Sequence, residues 1–139
     1  MDAVRVVFSA LASALLAGCA GAPTPAQKES QVAKAEADGV QRIRIAAGSY
    51  FFKPNHVVVK VNAPVELVAS REAGMTPHDL VIKDPDGGVV AEEELLTEPK
   101  KIAFTPQKTG MYSFYCSKKL PFMTGHRERG MEGFVEVVR

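Results

Sequence analysis

The sequence predicts an all-β fold, a sandwich of short strands, and three observations predict it. From Val40 onward apolar and polar residues alternate with a period of two, in runs rich in Val, Ile and aromatic side chains. That is the pattern of strands with one buried face. The runs are bounded at short, regular intervals by Gly, Pro, Asn and Asp, the residues that turn a chain sharply. Helical periodicity is nearly absent, and residues 91–96 read at most as one short helical turn. With 139 residues, 46% of them hydrophobic, the chain can build one domain with a real core.

Residues 1–18 stand apart from that domain. Arg5 supplies one positive charge, residues 6–16 are apolar, and small residues follow. This is the grammar of a secretory signal peptide, removed before it can contribute to the fold. Its end, Leu16-Ala17-Gly18-Cys19, resembles the lipobox of bacterial lipoproteins. The resemblance implies cleavage before Cys19 and lipidation of its thiol; an ordinary secreted protein with an incidental cysteine is the other reading. Acyl chains contribute about 0.8 kcal/mol per buried CH₂, so several would hold the protein on a membrane surface. No apolar run reaches the roughly 18–20 uncharged residues that span a bilayer. Residues 19–39 then read as the lipidated cysteine and a flexible tether. They hold Gly21, Pro23, Pro25, Gln27 and Ser30 with mixed charges and little aliphatic bulk. Residues 31–37 could form a helical turn or two but have no apolar face to dock.

The folded domain occupies residues 40–139. Residues 41–46 alternate, with Ile43 and Ile45 on one face. Residues 56–61 are rich in Val, and residues 65–69 alternate again. His78 opens a strand through Ile82, and Asp84-Pro85-Asp86-Gly87-Gly88 turns the chain. A short strand covers residues 101–104. Residues 111–116 alternate aromatic with small or polar side chains and end on Cys116, and residues 133–138 close the chain.

Charge and cysteine content narrow the function. Seventeen basic and 16 acidic residues leave a net charge of +1, which argues against nucleic acid as a partner, because duplex-binding domains carry a basic surface. Of two cysteines, Cys19 is claimed by the lipid, leaving Cys116 as a lone thiol in an oxidising compartment. A buried, inert cysteine would explain it. Its neighbours suggest more. One loop between two strands carries Cys116, His126 and Met131, and a second histidine, His78, opens an earlier strand. A thiolate and two imidazoles suit both Cu(I) and Cu(II), with a weak axial thioether. Taken singly, each has a structural reading: His78 as a strand cap, His126 as a solvated loop residue, Met131 as core filler. His56 has no partner motif and reads as structural.

Four segments resemble the plastocyanin and azurin family of cupredoxins: Phe52-Lys53-Pro54-Asn55-His56-Val57, Pro77-His78-Asp79-Leu80, Tyr112-Ser113-Phe114-Tyr115-Cys116 and Met131-Glu132-Gly133-Phe134-Val135. The resemblance covers residues 40–139 and implies a Greek-key cupredoxin β-sandwich with one copper ion at one end. It implies His78, Cys116 and His126 as ligands in a plane and Met131 as the axial ligand. It also implies that His126 is the exposed edge through which electrons pass. One departure is plain: nine residues separate Cys116 from His126, where plastocyanin-like members have only a few. Met123 in that longer loop is a competing thioether. The loop has one cysteine, so a binuclear centre of the copper-A type is not expected.

The expected function is single-electron transfer, with copper cycling between Cu(I) and Cu(II) in a lipid-anchored monomer on the periplasmic or cell-surface side of a bacterial membrane. Lys118, Lys119, Arg127 and Arg129 form a basic rim that would favour a transient, acidic redox partner, or would simply be solvated. A copper carrier or sensor outside the cytoplasm is the alternative. An enzyme using Cys116 with His126 or His78 as nucleophile and base is not expected, since no oxyanion-hole motif accompanies them.

Overall fold

The computed structural model describes residues 28–139; the signal segment, Cys19 and the tether as far as residue 27 lie outside the described residues. Among the described residues ten strands follow one another: β1 (Ser30–Val32), β2 (Gln41–Gly48), β3 (Phe51–Lys53), β4 (His56–Lys60), β5 (Val65–Arg71), β6 (His78–Lys83), β7 (Val89–Leu95), β8 (Lys100–Phe104), β9 (Gly110–Tyr115) and β10 (Glu132–Val138). They form a six-stranded sheet in the order β1-β4-β10-β9-β6-β7 and a four-stranded sheet in the order β3-β2-β5-β8. The all-β sandwich expected from the period-two pattern is therefore what forms.

Alternation places the core. Ile43, Ile45 and Ala47 of β2 and Val65, Leu67 and Ala69 of β5 face inward from the smaller sheet. They meet Val57 and Val59 of β4, Tyr112 and Phe114 of β9, and Val135 and Val137 of β10. Phe114 is fully buried and meets Phe52 edge-on across the sandwich, with ring centroids 5.3 Å apart. Gly133 lets β10 approach this ring, since a Cβ there would fall 2.4 Å from Phe114 Cζ and from the Asn55 carbonyl oxygen.

Two stretches differ from the sequence expectation. Residues 91–96 are mostly strand rather than a helical turn, because β7 pairs antiparallel with β6 from His78↔Leu95 to Lys83↔Val89. Its glutamates are tolerated because β7 is an edge strand, with Leu95 turned into the core. Within the stretch read as a tether, Ser30–Val32 pair in parallel with His56–Val58 of β4. Ala35 bridges to Gln41, and Glu36 and Asp38 both pair with Arg42.

Candidate metal centre

The end of the sandwich where β6 begins and β9 finishes gathers three donor side chains. His78 is the first residue of β6 and Cys116 follows directly on β9, which pairs antiparallel with β6. Neighbouring strands lie about 4.8 Å apart, so this pairing already brings the two residues to one end.

His126 has to be delivered by the loop, and the chain does so by pinching it. The His126 N–H donates to the Lys118 carbonyl at 3.0 Å, so residues 119–125 form a side excursion. Within it, Met123 N–H donates to the Leu120 carbonyl, and Phe122 takes a left-handed φ of 62° at the tip. The long loop thus still sets His126 beside Cys116. A 3₁₀ turn, Arg127–Arg129, follows and ends on Gly130 at φ 96°, from which the chain enters β10. Met131 N–H donates to the His126 carbonyl and Cys116 N–H to the Met131 carbonyl, both at 3.1 Å, so Met131 is tied by backbone to both.

Cys116 Sγ lies 3.3 Å from His126 Nδ1 and 3.9 Å from His78 Nδ1. One donor atom from each of the three residues lies within 4.8 Å of the others, a group that could hold a metal ion. All three residues are buried, and so is Met131, whose side chain belongs to the core cluster. Met123, by contrast, is exposed.

Burial sets the protonation of the group. Desolvation holds His78 below its ordinary value, helped by the neighbouring His126 and by Arg71. His126 is lowered first by desolvation and then by Arg129. The Cys116 thiol is pushed up to about 11, again mainly by desolvation. Two neutral imidazoles and a thiol that must shed its proton are what a soft or borderline cation meets here, and the set fits copper. Zinc also accepts these donors.

Asp79 stiffens the site from behind. Its buried carboxylate accepts from Ser117 N–H at 2.6 Å and from Ser117 Oγ at 2.5 Å, bracing the residue after Cys116. Sequence reasoning passed Asp79 over, since a carboxylate beside a histidine carries no signal until Ser117 is seen against it.

The family model described as a cupredoxin-like domain matches residues 10–126. This chain belongs to the cupredoxin-like family. Met131 lies beyond the matched span. Among solved structures, this cupredoxin is similar to the metal-binding domain of the Cu(I)-exporting P-type ATPase CopA of Streptococcus pneumoniae D39 with Cu(I), at 25% identity and a TM-score of 0.61, over 82% of this chain and 100% of that one. It is similar to dithionite-reduced auracyanin of Roseiflexus castenholzii at 19% identity and a TM-score of 0.59, over 70% and 97% of the two chains. It also resembles reduced rusticyanin at 17% identity and a TM-score of 0.57, over 82% and 87%. No curated protein sequence matches the chain.

The cupredoxin site departs from its sequence-based picture in two respects. His126, implied to be the exposed edge, is 2% exposed, and the Tyr50 ring is among the groups that pack on it, edge-on with centroids 5.0 Å apart. The basic rim is largely paired within the molecule: Lys118 with Asp79, Lys119 with Glu128, and Arg127 with Glu132. His56 stands outside the donor group, as its structural reading requires. Its Nε2–H donates to Glu136 at 2.9 Å, and Ser30 Oγ lies 2.8 Å from its Nδ1.

Proposed function

We propose that this cupredoxin is a mononuclear copper protein for single-electron transfer, held on the extracytoplasmic side of a membrane through Cys19. The observation that carries the reading is the buried His78–Cys116–His126 group, whose donor atoms converge within 4.8 Å at the end of a braced sandwich. Copper held there would exchange one electron between Cu(I) and Cu(II). His78, Cys116 and His126 supply the three close donors, and Met131 supplies the weak fourth from the end of the same loop. Asp79 braces Ser117, next to Cys116, and the Lys118–His126 backbone bond holds His126 beside it, an arrangement that would limit rearrangement on a change of charge. Cys116 continues β9 and so joins the site covalently to the sheet. The reading assigns no catalytic residue and calls for a transient redox partner rather than a tight complex. The anchor and its compartment rest on the sequence alone.

Copper carriage is the second reading. It is favoured by the similarity to the Cu(I)-bound domain, which is covered over its whole length at 25% identity. Titrating the protein with Cu(II) while recording its absorption spectrum tests the first reading. An intense thiolate-to-copper charge-transfer band, absent in Cys116→Ser, is the expected outcome. Weak Cu(II) binding without such a band, with Cu(I) passed readily to an acceptor protein, would leave carriage as the function.

A further inference from the structure

The 3₁₀ turn between His126 and Met131 does more than space two residues. It sends two arginines onto two tyrosines, one the residue before Cys116 and one packed against His126. Arg127 Cζ lies 4.1 Å from the ring centroid of Tyr115, the residue before Cys116. Arg129 Cζ lies 4.5 Å from the ring centroid of Tyr50, in the connection between β2 and β3. The Tyr50 ring in turn meets the His126 ring edge-on, at 5.0 Å and an interplanar angle of 67°, and the His126 ring lies 5.0 Å from that of His78. A guanidinium, a phenol ring and the two imidazoles therefore succeed one another from solvent inward.

The outer members of this succession are fixed from both sides. Tyr50 is half-buried and packs against the core. Arg129 N–H is held by the carbonyls of Gly125 and His126, and Gly130 at φ 96° ends the turn behind it. Lys118, Lys119 and Arg127 each have a carboxylate partner. Arg129 has none among the described residues, so its favourable contact is the face of Tyr50. Ser49, next to Tyr50, lines a small cleft that ends on His78. Displacing Tyr50 would uncover the part of the His126 ring that it packs against.

We infer that Tyr50, held down by Arg129, is a positioning residue that covers the His126 imidazole and sets how fast a metal ion enters and leaves the donor group. The inference rests on the reading of His78, Cys116 and His126 as metal donors. Losing the ring should change the rates of metal entry and loss together while leaving affinity nearly unaltered, because the donors themselves are untouched.

The test uses the full chain in two states. In the metal-free protein, His126 is modified with diethyl pyrocarbonate and followed by peptide mass spectrometry, with His56 as internal control. Tyr50→Ala should speed His126 modification at least about fivefold, and Arg129→Gln should give a smaller rise. Tyr50→Phe and Arg129→Lys, which keep the ring and the cation, should restore the slow rate. In the Cu(I)-loaded protein, transfer to bathocuproine disulfonate should quicken in the same order with an unchanged competition midpoint. Equal His126 reactivity in all variants would overturn the covering role. Protection in the expected order with equal transfer rates would overturn its control over metal exchange. A wild-type chain that binds no Cu(I) would defeat the donor reading itself, whatever the modification rates show. Should Tyr50→Ala fail to fold, Arg129→Gln and its Lys counterpart carry the comparison.

Discussion

At the scale of single residues, the decisive fact is how much chemistry is placed on buried polar atoms. Asp79 is buried and spends two strong hydrogen bonds on Ser117. Hydrogen bonds to a charged acceptor are worth more than neutral ones, so Asp79→Ala should destabilise the metal-free domain by about 2 kcal/mol in denaturant unfolding. Asp79→Asn, which can still accept from Ser117 N–H, should recover part of that loss. A change of under about 0.5 kcal/mol for Asp79→Ala would show that Ser117 is braced by something else.

At the scale of elements, β1 and the ligand loop solve opposite problems. The loop is long and closes on itself, so its extra residues do not move His126 away from Cys116. β1 is three residues long, which is too short to hold by backbone pairing alone, and the Ser30 contact with His56 adds a side-chain tie to the parallel ladder. Ser30→Ala should therefore loosen β1 by about 1 kcal/mol. Hydrogen exchange at Ala33 N–H, which donates to the Val58 carbonyl at 2.8 Å, should report it as acceleration of about fivefold. Because His56 lies outside the donor group, His56→Ala should weaken the same edge and leave the copper spectrum unchanged. A changed spectrum would bring His56 into the metal site.

For the whole molecule, the site makes stability depend on pH from both sides when no metal is bound. His78 and His126 are held below the ordinary histidine value of 6.5, so around that pH the folded domain binds fewer protons than the unfolded chain. Their contribution is complete above 6.5 and is lost as pH falls through their lowered values. Cys116 behaves oppositely: its pKa is raised from 9.0 to about 11, so its contribution is complete below 9.0 and is lost as pH rises toward 11. The denaturation midpoint of the metal-free protein should form a plateau between these limits and decline on either side. A midpoint still rising below pH 6 would mean that the two imidazoles carry charge in the fold.

What the amino-acid sequence determines by itself is local and periodic. Alternation at Ile43, Ile45, Val57, Val59, Phe114, Val135 and Val137 specifies which strand faces are buried, and the Gly, Pro and Asp punctuation separates the strands; together these give the all-β sandwich. The order His78, Cys116, His126, Met131 at strand ends is legible because the residue types suit one chemistry, and the structure brings the first three together. Helix and strand could not be told apart at residues 91–96, where pairing with β6 outweighs a run of glutamates. Nor could the three residues of β1 be read, since parallel pairing with β4 leaves no pattern in so short a stretch. Above all, only the tertiary structure decided that His126 is covered. Tyr50 lies far away along the chain and Arg129 three residues on, and neither carries a signal of its own. Burial is a property of surfaces meeting in space, and that meeting turns a loop histidine expected at the surface into a buried one with a tyrosine ring packed against it.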